Sequence, residues 1–252
     1  MAESKQSRVV MFDNSDPEMQ RAYEQARATF RYFWREVAWD RRRIVPALGL
    51  AAIKAPFSDE KPENHAGGTP QVEHMWLSEV DYDGEFVSGV LVNSPNWVKS
   101  VKEGDSARFR IDEISDWMYA ISGSVHGAYT VNLMRSRMTP RERRDHDAAW
   151  GMNFGDPHTI RMVSEEDHRA LCENMASSLK KQLAKDPALL SRTGLHGWTF
   201  LHQDASAGSI VMVRALLEAG ADPAPKADNG MTPLQLARAL GWDEVVAVLE
   251  DA

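Results

Sequence analysis

The chain has 252 residues, 43% hydrophobic and 26% charged, proportions of a soluble protein that buries a core. Its net charge is −8, with −3 carried before residue 164 and −5 from there on. Neither part has the basic excess of a nucleic-acid binder. The single cysteine, Cys172, excludes an intrachain disulfide framework and a cysteine-based zinc site. It suits a reducing compartment. The first ten residues lack the apolar region of a signal peptide, and the longest nearly apolar run, Ile44 to Ile53, is too short to span a bilayer. A cytoplasmic protein without a membrane segment is expected.

Asp16-Pro17 opens a helix, with Asp16 as N-cap and proline at the first helical position. Met19, Ala22, Tyr23, Ala26, Phe30, Phe33, Trp34 and Val37 form one apolar stripe along it. Arg41-Arg42-Arg43 follows and reads as a solvated helix end, with phosphate binding as the lesser reading. Ala47 to Phe57 reads as a buried strand interrupted by Lys54, and Ser58 to Pro70 as a loop. Val72 to Val80 and Glu85 to Asn93 are two strands around the Asp83-Gly84 turn. Val101 to Ile121 then reads as a hairpin. Ala107, Phe109 and Ile111 alternate on its first strand, Asp112 to Asp116 turn, and Trp117, Tyr119 and Ile121 alternate on its second.

Tyr129 to Arg135 fits either a strand or a helix. Thr139-Pro140-Arg141-Glu142 is a capping box that starts a short helix. Ser164 caps another, over Ser164 to Lys185, with Leu171, Met175, Leu179 and Leu183 as its stripe.

The last 60 or so residues repeat at an offset of 33. Gly197-Trp198-Thr199-Phe200-Leu201-His202 aligns with Gly230-Met231-Thr232-Pro233-Leu234-Gln235, and Gly208, Val213 and Leu216 align with Gly241, Val246 and Leu249. This period resembles ankyrin repeats, which implies a turn and two helices per unit and a role in protein–protein interaction without catalysis. Phe200 and Gln235 depart from the usual proline and histidine. His202 matches the motif's structural histidine, which implies a hydrogen-bonding turn residue. Leu201, Ala205, Val213 and Leu216 are expected to face inward with Leu234, Val246 and Leu249. Trp198, just before the motif threonine, is the expected partner anchor, and Trp242 the second candidate. The alternative for Trp198 is packing against the rest of the chain, because so short an array needs a neighbour to cover it.

The first part also resembles a known family. Asp16-Pro17-Glu18-Met19, Ala26-Arg27-Ala28-Thr29-Phe30, Ile53-Lys54, Glu73-His74-Met75-Trp76-Leu77, Gly89 to Pro95, Gly104-Asp105, Ile114 to Tyr119 and Gly127 to Thr130 are similar to the YegJ-like bacterial domain of unknown function number 2314. The resemblance covers roughly Ser15 to Met138. It implies an α+β fold with an antiparallel sheet, and it brings no catalytic residues. The expected architecture is therefore an α+β domain over 1–163, with a long amphipathic helix on its sheet. An all-α ankyrin module over 164–252 follows, made of a capping helix and two repeats.

Candidate chemistry is sparse. Lys54, Glu73, His74 and Asp116 are the polar residues placed on or beside strands. A Lys54–Glu73 pair would answer the cost of burying a carboxylate. Neighbours on a strand point to opposite faces, so Glu73 and His74 cannot share a pocket without a bulge. Asp116, with Glu113 beside it, reads first as a turn residue and second as a general acid–base. Asp145-His146-Asp147 lacks a second histidine cluster, so no metal is expected. Arg135, Arg137, Arg141, Arg143 and Arg144 form a basic cluster, read as a solvated helix face rather than a nucleic-acid site. No phosphate-binding loop, dinucleotide motif or nucleophile elbow is present, and no cofactor is expected. The preferred function is a non-catalytic, cytoplasmic, bacterial protein-interaction protein, with an adaptor or toxin-neutralising role by analogy. The rival is a hydrolase with a site near Lys54, Glu73, His74 and Asp116.

Overall fold

Asp16 accepts a hydrogen bond from the Glu18 amide (2.9 Å) and starts helix α1, Pro17–Asp40. The computed structural model describes residues 16–59 and 72–252. The apolar stripe of α1 is buried along its whole length, and Trp39 extends it. The loop expected over 58–70 lies mostly outside the described residues.

Six strands form one antiparallel sheet: β1 Leu48–Phe57, β2 Glu73–Tyr82, β3 Val87–Leu91, β4 Ser106–Phe109, β5 Asp116–Ile121 and β6 Ser124–Gly127. Their order is β4-β3-β2-β1-β5-β6. Ile53, Met75, Leu77, Trp117 and Tyr119 pack with α1 in the main core. Met118 and Val125 gather with Val131 and Phe154 in a second, smaller cluster.

The expected hairpin over Val101 to Ile121 does not form. β4 pairs with β3, whereas β5 pairs with β1. The chain between them makes a short 3-10 turn, Ile111–Glu113, buries Ile114, and donates the Ser115 amide to the Lys54 carbonyl (2.7 Å). It thus crosses the ends of β3, β2 and β1 instead of folding back, and Phe109 meets Phe57 edge to face with centroids 5.2 Å apart. The strand that does fold back on β5 is β6, which the sequence reading missed. Its turn is Ser122-Gly123, both with positive φ (48° and 75°), the twist a two-residue hairpin needs.

Tyr129–Ser136 is helical (α2). The capping box of Thr139 and Glu142 starts α3, Pro140–Trp150, and Ser164 caps α4, Glu165–Leu183. The repeats follow as α5 Phe200–Ser206 and α6 Ile210–Glu218, then α7 Pro233–Leu240 and α8 Asp243–Glu250. Thr199 and Thr232, 33 residues apart, each cap the first helix of a unit through a reciprocal box with His202 or Gln235. Leu201, Ala205, Val213, Leu216 and Leu249 are buried. Leu234 and Val246 are only half-buried, while Leu236 and Val245 are buried more fully.

Candidate functional site

Three of the four candidate polar residues converge, and the fourth does not. Lys54 lies opposite Asp116 in the β1–β5 register and opposite Trp76 in the β1–β2 register. Its Nζ is 3.5 Å from Thr130 Oγ1, and that hydroxyl donates to Asp116 Oδ2 at 2.6 Å. His74 Nδ1 is 2.6 Å from Ser115 Oγ, and its ring stacks on Tyr23, with Nε2 3.4 Å from the phenol oxygen. Glu73 points the other way. It accepts from the Asn96 amide and side chain and from the Trp97 amide, so it holds the loop after β3 and forms no pair with Lys54.

Asp116 is completely buried. Oδ1 accepts the Trp117 and Tyr129 amides (2.8 and 3.0 Å), and Oδ2 accepts the amide and hydroxyl of Thr130 (2.8 and 2.6 Å). The residue at the N-cap position of α2 is Ala128, in left-handed conformation, with no side chain to cap with. Asp116 caps the helix from the neighbouring strand instead. Burial pushes its carboxyl above the usual range, while Thr130 and Lys54 pull against it. Accepting four donors is the pattern of an ionised carboxylate. Burial likewise lowers the Lys54 ammonium, with Asp116 opposing. Burial, then Lys54 and Arg27, bring His74 down to about 4, so its imidazole is neutral at pH 7. Ser115, the hydroxyl nearest it, is 1% exposed. The cluster couples β1, β2, β5, α1 and α2. Tyr23, Ser115 and Thr130 belong to it, and no sequence signal separated them from core or turn residues.

Parts of the basic runs are engaged, while Arg141 and Arg144 stay on the solvated face of α3. Arg135 is buried and donates to Asp147 through Nε and Nη2 (2.8 and 2.7 Å), and Arg137 pairs with Asp16 and Glu18. Arg41 reaches Asp81 (2.6 Å) and the Val80 carbonyl (2.7 Å), and Arg42 reaches the buried Asp204 (2.5 Å). Arg41 remains exposed, as expected of a solvated helix end, whereas Arg42 turns inward to a buried acid and departs from that reading.

The Arg42–Asp204 contact belongs to the main surface between sheet domain and repeats. Trp34 Nε1 donates to Ser206 Oγ (3.2 Å), Trp39 Nε1 to Ser209 Oγ (2.9 Å), and Arg31 to the Gly241 carbonyl. Ser209 in turn lies 3.4 Å from Nε2 of His168 on α4. The β2–β3 turn reaches the second repeat, where Asn229 donates to the Asp83 carbonyl (2.9 Å). A Cβ on Gly84 would sit 2.6 Å from Leu236 and 2.7 Å from Met231. Asp81 binds Arg41 on one side and His196 of the repeats (2.6 Å) on the other. Burial raises the Asp81 carboxyl, but Arg41 and His196 outweigh this and its pKa is lowered.

Trp198 and Trp242 are 4% and 9% exposed, so neither is the open anchor expected from the motif position. Trp198 packs edge to face on Trp34. Trp242 meets Tyr32 edge to face at 5.6 Å, lies under the Arg31 and Arg35 guanidiniums, and donates to the Ser206 carbonyl (2.9 Å). Trp198 and Met231 are equivalent positions in the two units, as are Gln203 and Leu236. Trp198, Met231 and Leu236 all lie against the sheet domain. The face the repeats would offer a partner there is occupied by the chain itself. His202 does hold the turns together: Nδ1 bonds the Thr199 amide and hydroxyl, and Nε2 the Met231 carbonyl (3.1 Å).

Among the described residues no helix is long and apolar enough to cross a membrane, and no group of three His, Cys, Asp or Glu could hold a metal ion. Residues 196–228 match the ankyrin repeat model. An ankyrin repeat protein of Neisseria meningitidis serogroup B, so described by its name, is 40% identical over 245 residues, covering 94% of this chain and 95% of that one. Escherichia coli YegJ is 33% identical over 94 residues, 37% of this chain and 55% of YegJ. Residues 16–154, more than half the chain, match the family model described as "Uncharacterized protein conserved in bacteria (DUF2314)". The chain therefore belongs to the DUF2314 family, with ankyrin repeats fused behind the family domain.

Proposed function

We propose that the chain is a non-catalytic bacterial binding protein of the cytoplasm, an adaptor or a toxin-neutralising protein, whose partner docks on the combined body of sheet domain and repeats. The ankyrin module and the relative named for it support a protein-interaction role. The observation that carries the combined-body reading is the sharing of Trp34, Trp198, Arg42 and Asp204 across the two parts. In this reading the family domain ends near residue 163, and α4, which packs on α6, serves as the capping half-repeat.

The hydrolase reading draws support from the 2.6 Å His74–Ser115 contact. Against it stand the burial of Ser115 and the four hydrogen bonds that tie Asp116 to α2. The test is capture of partners by the full chain from its host, followed by binding of the purified candidate. A purified chain that hydrolyses ester or phosphoester probes, and loses that activity in His74→Ala and Ser115→Ala, would replace this reading with the enzymatic one.

A further inference from the structure

Between the C-terminal end of α1 and the first repeat lies a crevice of about 200 Å³. Its walls include the rings of Trp34, Tyr82 and Trp198, its charged lining is Arg41 and Arg42, and the His196 imidazole stands with them. In a chain of net charge −8, no Asp or Glu lines it. Acids stand behind the wall: Asp81 holds Arg41 and His196, and Asp204 holds Nη1 of Arg42. The remainder of the Arg42 guanidinium has no hydrogen-bond partner among the described residues, though it lies over the Trp39 and Phe200 rings.

The indole of Trp198 marks the crevice independently. Trp34, Trp39 and Trp242, the other tryptophans of this interface, each donate their N–H to an oxygen of the repeats. Trp198 Nε1 is buried and has no partner among the described residues. A buried donor left unmade is costly, so an acceptor supplied by a ligand would be favoured there. At the lip stands Leu195, 65% exposed. His196, next to it, is held at φ 60°, a conformation a non-glycine residue keeps only under constraint.

We propose that this crevice binds an acidic peptide segment, a carboxylate side chain next to an apolar one. The carboxylate meets Arg42 and the Trp198 N–H, and the apolar neighbour lies on Leu195 and the aromatic wall. Charge complementarity and the unmade donor select the carboxylate. The lip selects the apolar group. This rests on the protein-binding reading above and names its partner class. The site exists only where the two parts meet, so neither alone supplies it.

The test is selection of a phage-displayed random heptapeptide library on the full chain, followed by fluorescence anisotropy with the labelled consensus peptide. Selected sequences should carry Asp or Glu beside an apolar residue. Replacing that acid by its amide should weaken binding at least tenfold. Leu195→Glu, at an exposed position, should also weaken it at least tenfold with an unchanged melting temperature. Pools without an acid–apolar pair, or a peptide indifferent to Leu195→Glu, would overturn the assignment. If selected peptides ignore Leu195→Glu, the crevice falls while the protein-binding reading stands. If neither peptides nor host proteins bind, both fall.

Discussion

Trp34 of the first helix and Trp198 of the first repeat meet edge to face, their ring centroids 6.3 Å apart and their planes at 90°. Both are almost fully buried. Such a pair contributes roughly 0.5–1.5 kcal/mol beyond the area it buries. Emptying the site of a buried aromatic costs about 3–5 kcal/mol. Trp198→Ala should therefore lower the melting temperature by several degrees, and sheet domain and repeats should begin to melt separately. Calorimetry checks this. A single transition at the parent temperature would show that Trp198 does not hold the two parts together.

Arg42 and Asp204 form the most demanding contact of that surface, since Asp204 is completely buried and burial raises its carboxyl above the usual range, with Arg42 opposing. Arg42→Leu leaves a buried carboxylate unpaired, which typically costs about 3–5 kcal/mol. The double variant Arg42→Leu/Asp204→Leu should regain much of that loss, because apolar replacements of a buried pair are often neutral. Denaturant unfolding of the two single variants, the double variant and the parent gives the cycle. Additive losses would show that the two side chains act independently.

Two neutral histidines set the acid limit. Burial, with Arg35 adding to it, brings His168 down to about 3, and His74 lies at about 4. Both are below the ordinary value of about 6.5, so the unfolded chain binds more protons between these values. Stability is fully present above pH 6.5 and declines as pH falls toward 4, with a slope of up to about 1.4 kcal/mol per pH unit for each histidine. His168 Nε2 lies 3.4 Å from both Ser209 Oγ, which takes the Trp39 N–H, and Cys172 Sγ. His168→Gln should flatten the decline between pH 6.5 and 4. An unchanged slope would show that His168 titrates alike in folded and unfolded chains.

The helix stripe, the capping boxes and the 33-residue repeat were legible because each is a local pattern. Asp16, Thr139 and Ser164 cap the helices they precede. Strand pairing was not local. Nothing between Phe109 and Trp117 distinguishes a hairpin from a crossing past β3, β2 and β1, the crossing on which Ile114 is buried. The interface failed for a related reason. Trp34 and Trp39 sit on the apolar helix together with Phe30 and Phe33, and no periodicity says which of them faces a second domain. Trp198 sat where a repeat contacts its partner, and the partner turned out to be the same chain.

Phe30→Ala tests the stripe itself. Phe30 is 1% exposed, with Phe33 5.7 Å and Tyr82 6.1 Å away, ring to ring. A loss of about 3–5 kcal/mol is expected in denaturant unfolding. A loss below about 1 kcal/mol, less than the lower bound for such cavities, would mean that the face collapses to fill the gap.

Asp116→Asn separates a cap from a turn residue. As a turn residue, Asp116 could exchange for Asn with little effect, because both make the same local bond. The structure assigns it a different task, since both oxygens receive donors: two amides at Oδ1, and the Thr130 amide and hydroxyl at Oδ2. An amide side chain has one acceptor oxygen. Its NH₂ would face two of those donors, and buried N–H groups would lose their partner. Each such group costs about 1–3 kcal/mol. The carboxylate also faces the start of α2, where a negative charge suits the helix dipole. Asp116→Asn should therefore destabilise by at least about 1 kcal/mol, and Asp116→Ala by more, because all four donors lose their acceptor. Thr130→Val should fall between the parent and Asp116→Asn, since it removes one donor and leaves the carboxylate three. Unfolding in urea ranks the three variants. An Asn variant as stable as the parent would mean that α2 does not depend on the carboxylate of β5 for its start.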